Sequence, residues 1–400
     1  MNVMVIGGGA SGMMAALTAS QSGKNHVLLL ERQARIGRKL LATGNGRCNL
    51  TNKNVAPSHY HGENVQFCSY ALHAFGVDDT LQYFSSLGLL TVTEYGGRIY
   101  PFSDSANSVL DVLRLNLEQR SNVEIITACE VTALSKKKGV FTALAGDQKY
   151  SADCAIVCAG GVAGGKLGAT DLGYKLLSSF GHSRTKLYPS LVQIKTDPTF
   201  VRSLKGVRTQ AAVRYGSEEQ SGEIQFTDYG VSGPVIFELS RAISVQGANG
   251  TLLLDLLPDI SEAELSKMLA TRCDALPKVC MEDLLTGILH NRLGRTMIRA
   301  AGFRLEDTCS TLTKETIARI AHTVKHFALP VQGVMGMDAA QVTAGGIRTE
   351  EFDERTMQSR LCSGLYACGE VLDIDGDCGG YNLQWAWSSG HLAGELRGQL

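Results

Sequence analysis

The sequence has no apolar run of the roughly 18 residues that a membrane-crossing helix needs, so no membrane span is expected. It has almost no net charge: 38 Lys and Arg stand against 39 Asp and Glu, a formal −1. A chain so balanced builds no long-range field to gather nucleic acid or an anionic membrane. Its eleven cysteines include no C-x-x-C pair, which argues against a dithiol–disulfide oxidoreductase. Cys154 and Cys158 lie too far apart along an extended strand for easy bridging and are expected as buried packing. Zinc-ligand spacing is also absent. His322 and His326 are a helical turn apart, but the glutamate of H-E-x-x-H is missing, so no metal is expected. No internal repeat or low-complexity segment stands out. The chain enters its first strand at residue 3, which leaves no room for a signal peptide. The expected location is cytoplasmic, with reduced thiols.

What is present begins at once. Val3–Ile6 reads as a buried strand, Gly7, Gly9 and Gly12 make G-x-G-x-x-G, and residues 10–23 continue at helical spacing. A second apolar strand, His26–Leu30, ends in an acid, Glu31. This is the pattern of a dinucleotide-binding turn. Gly7 makes the tight turn, Gly9 lets the backbone approach a pyrophosphate, and Gly12 lets helix and strand pack closely. The helix start at Ala10 and Ser11 offers free N–H groups and a partial positive charge. Glu31 suits the ribose hydroxyls of an adenosine, with Arg32 beside it. A buried glycine-rich turn without a ligand would not explain why an apolar strand ends in Glu31.

That signature does not separate FAD from NAD; two further segments do. The first is the loop of residues 38–49, in which Lys39, Thr43, Gly44, Gly46, Arg47, Cys48 and Asn49 suit an extended polar ligand, with Arg47 and Lys39 expected to neutralise its charge. The second reads as a strand ending in Gly369-Glu370, then a glycine-rich turn, then a helix to about Leu396. Glu370 suits a ribityl hydroxyl, and Gly379 and Gly380 admit the isoalloxazine edge. The helix begun by Tyr381, Asn382 and Leu383 turns its positive end toward the flavin N1/O2 region, where negative charge builds up on reduction.

At these residues the chain resembles the BaiN/YhiN-like flavoproteins, relatives of the fumarate reductase/succinate dehydrogenase flavoprotein superfamily. The matching motifs are TGNGRCNLT at 43–51, GEIQFT at 222–227 with GVSGP at 230–234, VTAGGI at 342–347, and GEVLD at 369–373 with GGYNLQ at 379–384. They span nearly the whole chain in the family's order. The resemblance implies FAD as cofactor and chemistry on carbon–carbon bonds next to carbonyls; some relatives act on unsaturated steroid-like ketones. Gly369-Glu370, in place of the Gly-Asp of many flavoproteins, agrees with the fumarate-reductase side of the superfamily.

The expected fold class is α/β: a Rossmann-like FAD-binding domain with an inserted antiparallel β domain and a small helical domain. Residues 1–188 alternate strands and helices. Strands are predicted at Val123–Ile126, Glu130–Ala133 and Val140–Leu144, and in flavin folds of this type a backbone group near Val131 holds the adenine. Ala152–Val157 is a further parallel strand, whose end carries Ala159, Gly160 and Gly161 to the ligand edge. From about residue 189 to 259 short β-rich segments predict a barrel-like insert. From 260 to 331 helical periodicity takes over, with Ser261 and Glu264 as a capping box. Flavin-domain motifs return over 332–400.

Reducing an activated double bond needs hydride from flavin N5, a proton donor, and a hydrogen-bond donor for the carbonyl. Arg98, Tyr100, Tyr188, Tyr229 and Tyr381 are the candidate donors, and Cys48 is a thiol expected near the ring. None is assigned as the acid. Gly160 to Gly165 lacks the spacing of a second G-x-G-x-x-G, so no separate NAD(P)H domain is encoded. NAD(P)H then binds transiently at the ring, or a partner reductase supplies electrons. His59 and His61 give no firm attachment signal, so non-covalent FAD is expected. The expected function is an FAD-dependent oxidoreductase reducing or forming a double bond beside a carbonyl in a small apolar molecule. The alternative is a flavin-dependent RNA-modification or RNA-binding protein using Arg292, Arg295, Arg299 and Arg304 as a basic stripe; near-neutral charge and few aromatics weigh against it.

Overall fold

Val3, Met4 and Val5 have no solvent exposure because Asn2–Ile6 is the central strand of a five-stranded parallel sheet. The computed structural model describes residues 1–398. The sheet order is Leu365–Ala367, Cys154–Val157, Asn2–Ile6, His26–Leu30 and Val123–Ile126. Val3 stands level with Cys154 on one side, and Ile6 with Leu30 on the other. A strand covered on both faces reads as a near-continuous apolar run, as Val3–Ile6 and Cys154–Val157 do. Helix Ala10–Ser20 is likewise buried from Ser11 to Ser20. It packs against the last helix, Tyr381–Gly394, through glycines: a Cβ on Gly390 or Gly394 would stand 2.5 Å from the Ser11 or Ala15 carbonyl oxygen.

The chain divides into two compact units, one built from Met1–Tyr188 with the segment from Gln341 onward, the other from Pro189–Ala340. In the first, smaller sheets flank the parallel one. Ala133–Lys137, Val140–Ala145 and Gln148–Ala152 form an antiparallel meander. The predicted strand Glu130–Ala133 therefore starts later than expected, leaving Val131 ahead of it. Thr51–Asn52, Arg98–Pro101 and Thr91–Thr93 form a second small sheet, and Tyr60–His61 pairs with Asp375–Gly376.

The second unit contains a closed six-stranded barrel: Ile194–Thr196, Gly230–Ser232, Glu218–Phe226, Arg208–Tyr215, Thr251–Asp255 and Phe327–Val334, the last pairing back to the first. Ile194, Val213, Ile224, Phe226, Leu252 and Leu254 have no exposure and belong to its core. Helices Glu262–Ala275, Asn291–Ala300 and Lys314–Lys325 are carried between two barrel strands. The capping box at Ser261 and Glu264 forms. Two expectations differ. Residues 284–289, inside the stretch expected to be helical, form turns and an isolated bridge instead, after the short 3-10 segment Met281–Asp283. Barrel and helices share one core and one unit, and the unit ends after Ala340 rather than at 331, because Phe327–Val334 closes the barrel.

Candidate functional site

The glycine turn divides its three glycines by role. Gly7 has φ +110°, and a Cβ there would lie 2.5 Å from the Cys158 carbonyl oxygen. A Cβ on Gly12 would lie 1.8 Å from the Gly7 carbonyl oxygen. At Gly9 a Cβ would meet nothing within 4 Å, and the same holds for Gly160. Gly7 and Gly12 are thus required by packing, whereas Gly9 opens onto free space before the helix. That helix has no side-chain cap and no acidic residue in its first turn, so its positive end is uncompensated. Glu31 braces the turn: Oε2 accepts from the Gly8 N–H at 2.7 Å and Oε1 from the Gln33 N–H at 2.7 Å. Arg32 pairs with Glu130 and donates to the Gly168 carbonyl.

The late motif meets this turn. A Cβ on Gly369 would stand 2.5 Å from Ser11 Oγ, and Trp385 Nε1 donates to the Gly369 carbonyl at 3.1 Å. Glu370 accepts from Lys39 Nζ at 2.7 Å and from the Thr343 N–H at 2.8 Å. Thr343 Oγ1 in turn accepts from the N–H groups of Val162 and Ala163, and a Cβ on Gly161 would press to 2.4 Å from it. Residues 39, 159–163, 343 and 370 therefore converge. Tyr174, from helix Leu172–Ser178, brings a buried hydroxyl that has no partner among the described residues.

The loop of residues 40–49 is held in left-handed conformation at Gly44, Asn45 and Cys48. Arg47 is committed within the protein: it pairs with Glu94 and Asp104, and its guanidinium lies 4.1 Å from the Tyr100 ring centre. Its charge is shared with these two carboxylates, partners that the sequence did not point to. Cys48 has no exposure, and burial pushes its thiol up to about 12. Asn49 Oδ1 is buried without a partner among the described residues, and a Cβ on Gly380 would approach it to 2.9 Å. This orphaned acceptor beside an obligatory glycine fits a ligand that donates there.

Beyond Gly380, helix Tyr381–Gly394 again has neither a side-chain cap nor an acid in its first turn. Asn382 is spent on the turn itself: Gly376 N–H donates to its Oδ1, and its Nδ2 donates to the Gly376 carbonyl. Asp377 accepts from His59 Nδ1 at 2.9 Å and His61 Nε2 at 2.7 Å. Burial pushes the Asp377 carboxyl up, but hydrogen bonds from His61 and His59 outweigh it and hold it below the usual carboxylate range. The His59 ring stacks on Tyr381 at 4.4 Å. Asn52 Nδ2 donates to the Gly379 carbonyl at 2.9 Å, which ties the sheet bearing Arg98 and Tyr100 to this turn. Burial pushes the Tyr100 phenol up.

Of the expected contact residues, the glycine turn, Glu31, Lys39, Asn49, Ala159 to Gly161, Glu370 and the start of the last helix are brought together. Val131 is buried two residues past Cys129, whose N–H donates to the Glu31 carbonyl. Tyr229 belongs to the other unit, at the turn before Gly230–Ser232. Thr343, Tyr174 and Asp377 were not singled out from sequence; the VTAGGI motif and the turn before Gly379 carried the only signals. Cys158 meets Cys368 at 3.3 Å between sulfurs, a pairing of neighbouring strands invisible to spacing rules. In the second unit, Arg295 pairs with Glu282 and Asp283, Arg304 with Glu306, and Arg292 reaches the carbonyls of Ser203 and Lys205. Two of the four arginines, Arg295 and Arg304, thus meet carboxylates.

Two uncompensated helix N-termini, two open glycines and an orphaned acceptor in one unit fit an extended, anionic, hydroxyl-rich ligand. The chain matches the family described as "HI0933-like protein Rossmann domain" over residues 1–396. It is 41% identical over 399 residues to a 3-dehydro-bile acid delta(4,6)-reductase of Clostridium scindens, covering 98% of this chain and 97% of that one. It is 30% identical over 393 residues to a ribosomal RNA dihydrouridine synthase of Escherichia coli K12, covering 97% and 96%. Among solved structures, a quinol–fumarate reductase with menaquinol molecules aligns with TM-score 0.52 at 15% identity, covering 98% of this chain and 70% of that one. Among the described residues, no helix is long and apolar enough to cross a membrane.

Proposed function

We propose, for a chain that belongs to the HI0933-like Rossmann-domain family, the activity of an FAD-dependent oxidoreductase that reduces a carbon–carbon double bond conjugated to a carbonyl. The observation that carries this reading is the convergence of the Gly9 turn with the Asn49–Gly380 cradle in one unit. One end suits a pyrophosphate and the other a hydrogen-bonding ring system. Bound FAD would supply hydride from N5. Amides at the start of helix Ala10–Ser20 would hold the pyrophosphate, and Glu31 the adenosine ribose. Glu370, fixed by Lys39, would hold the ribityl chain. The uncapped start of helix Tyr381–Gly394 would stabilise negative charge at the ring. His59 and His61 are both engaged by Asp377, which supports non-covalent binding.

The carbonyl is polarised and the proton supplied from the Arg98–Tyr100 strand, whose phenol stays protonated because burial raises it. The reductase relative at 41% identity supports a steroid-like unsaturated ketone. Dihydrouridine formation in the 30% relative is also saturation of a double bond beside a carbonyl, so the reaction class is shared while substrates differ. The near-neutral charge of the chain and the carboxylate partners of Arg295 and Arg304 favour the small-molecule reading here. Electrons come from NAD(P)H bound transiently at the ring, or from a partner reductase.

The test is anaerobic photoreduction of the purified protein followed by mixing with unsaturated steroid ketones, and separately with bulk ribosomal RNA. Reoxidation of the flavin by a ketone with loss of its double bond is the expected result. Reoxidation by RNA alone would transfer the activity to the nucleic-acid reading, and a colourless protein unable to take up FAD would end both.

A further inference from the structure

We propose that Glu262, His322 and His326 bind one divalent transition-metal ion of the zinc type, as a two-histidine, one-carboxylate site that joins two helices of the barrel-bearing unit. The expectation of no metal rested on the missing H-E-x-x-H glutamate. The fold supplies the carboxylate from another helix. Glu262 opens helix Glu262–Ala275, His322 is in the last turn of Lys314–Lys325, and His326 caps that helix. Their ligand atoms all lie within 4.8 Å of one another.

The spacing suits the ion. With zinc–ligand bonds of about 2.0–2.1 Å, two ligand atoms of a tetrahedral site lie roughly 3.3–3.4 Å apart. Glu262 Oε2 stands 3.2 Å from His322 Nδ1 and 3.5 Å from His326 Nδ1. The two rings stack, 4.3 Å between centres and 21° apart in plane. His326 Nδ1 also lies 3.3 Å from the His322 carbonyl oxygen, a contact that the ion would replace. Two imidazoles and one carboxylate are a donor set for zinc, nickel or copper, not for calcium or magnesium. All three side chains are partly exposed, so a fourth position is open to water.

The two helices are locked before any ion binds, so little ordering cost opposes it. Lys325, beside His326, pairs with Asp255 at 2.7 Å and donates to the carbonyls of Leu257 and Ile260, just ahead of Glu262. The Leu256 N–H donates to the Val324 carbonyl at 3.1 Å. The Ser261–Glu264 capping box fixes the start of the other helix. Leu265 and Leu269 from one helix and Ile317, Ile320 and Val324 from the other belong to the same core. The ion would act as a staple between the helix start and the helix end.

The experiment uses the untagged, full-length, flavin-loaded chain after treatment with EDTA. Zinc chloride is titrated calorimetrically, and cobalt(II) is followed by its visible absorption. One equivalent should bind, cobalt should show tetrahedral bands without a thiolate charge-transfer band, and zinc should raise the melting temperature. E262Q and H322A should each weaken binding at least about tenfold, as loss of a direct ligand exceeds loss of a supporting contact. Both should keep the flavin spectrum and the metal-free melting temperature, because the side chains are exposed. Binding unchanged in an E262Q/H322A/H326A variant, a thiolate band marking a cysteine site, or no binding tighter than about 1 mM would each overturn the proposal.

Discussion

Lys39 Nζ and Glu370 Oε2 are 331 residues apart in sequence and 2.7 Å apart in space. Through this pair the loop after the second strand is joined to the end of the late strand, and Thr343 is recruited through its N–H to the other Glu370 oxygen. Both side chains are mostly buried, at 32% and 21% exposure. Hydrogen bonds to charged groups contribute about 1.5–3 kcal/mol, so K39M or E370Q should weaken FAD binding by about tenfold or more. In the double variant the losses should be less than additive, since each single change already breaks the pair. Fluorescence titration of the apoprotein with FAD measures this. Fully additive losses would mean that the pair does not act as one unit.

Gly9 and Gly12 should respond differently to an added side chain. At Gly12 a Cβ meets the Gly7 carbonyl at 1.8 Å, so G12A should lower the melting temperature as well as the flavin content. At Gly9 a Cβ meets nothing. G9V should therefore leave an apoprotein with near-normal circular dichroism that no longer takes up FAD. Normal flavin occupancy in G9V would refute the reading of that open space as the pyrophosphate cradle.

The contrast shows what was legible in the residues. The turn around Gly9, the acid at Glu31 and the late Gly369-Glu370 strand were readable because each is a local pattern with a fixed backbone reason. The partners of Arg47, Glu94 and Asp104, could not be read because they lie in distant loops and no spacing rule connects them. The link from Asp377 to His59 and His61 was not readable for a related reason: the pairing of Tyr60–His61 with Asp375–Gly376 is tertiary. The barrel was only partly legible. Its closing strand, Phe327–Val334, follows a long helical excursion and contains Pro330, which reads as the end of a helix.

Cys48 should be chemically silent. Its thiol is fully buried and pushed up to about 12, so almost no thiolate exists at neutral pH. Iodoacetamide on the folded protein should label the partly exposed Cys280, Cys362 and Cys378 before Cys48, as read by peptide mass spectrometry. C48A should keep flavin reduction and reoxidation rates while costing about 1–2 kcal/mol of stability from the cavity. Early labelling of Cys48, or loss of turnover in C48A with flavin retained, would restore the thiol as a reactive group.

His391 makes stability depend on pH. Its ring stacks on Phe75 at 4.1 Å, and Nδ1 lies 3.2 Å from Thr18 Oγ1. Burial lowers its pKa to about 4 from 6.5, with Arg397 helping and Asp79 opposing. The unfolded chain therefore takes up a proton at a higher pH than the folded one. Stability from the neutral ring is complete above about pH 6.5 and is lost as pH falls toward 4; the span of 2.5 units corresponds to about 3 kcal/mol. Glu395, 3.9 Å away, has its carboxyl pushed up by burial and works in the opposite sense. A comparison with H391Q, which leaves Glu395 in place, therefore isolates the His391 contribution between about pH 4 and 6.5. Urea denaturation across that window should show stability rising with pH in the parent protein and a flatter profile in H391Q. An H391Q profile as steep as the parent's would place the proton uptake on another group.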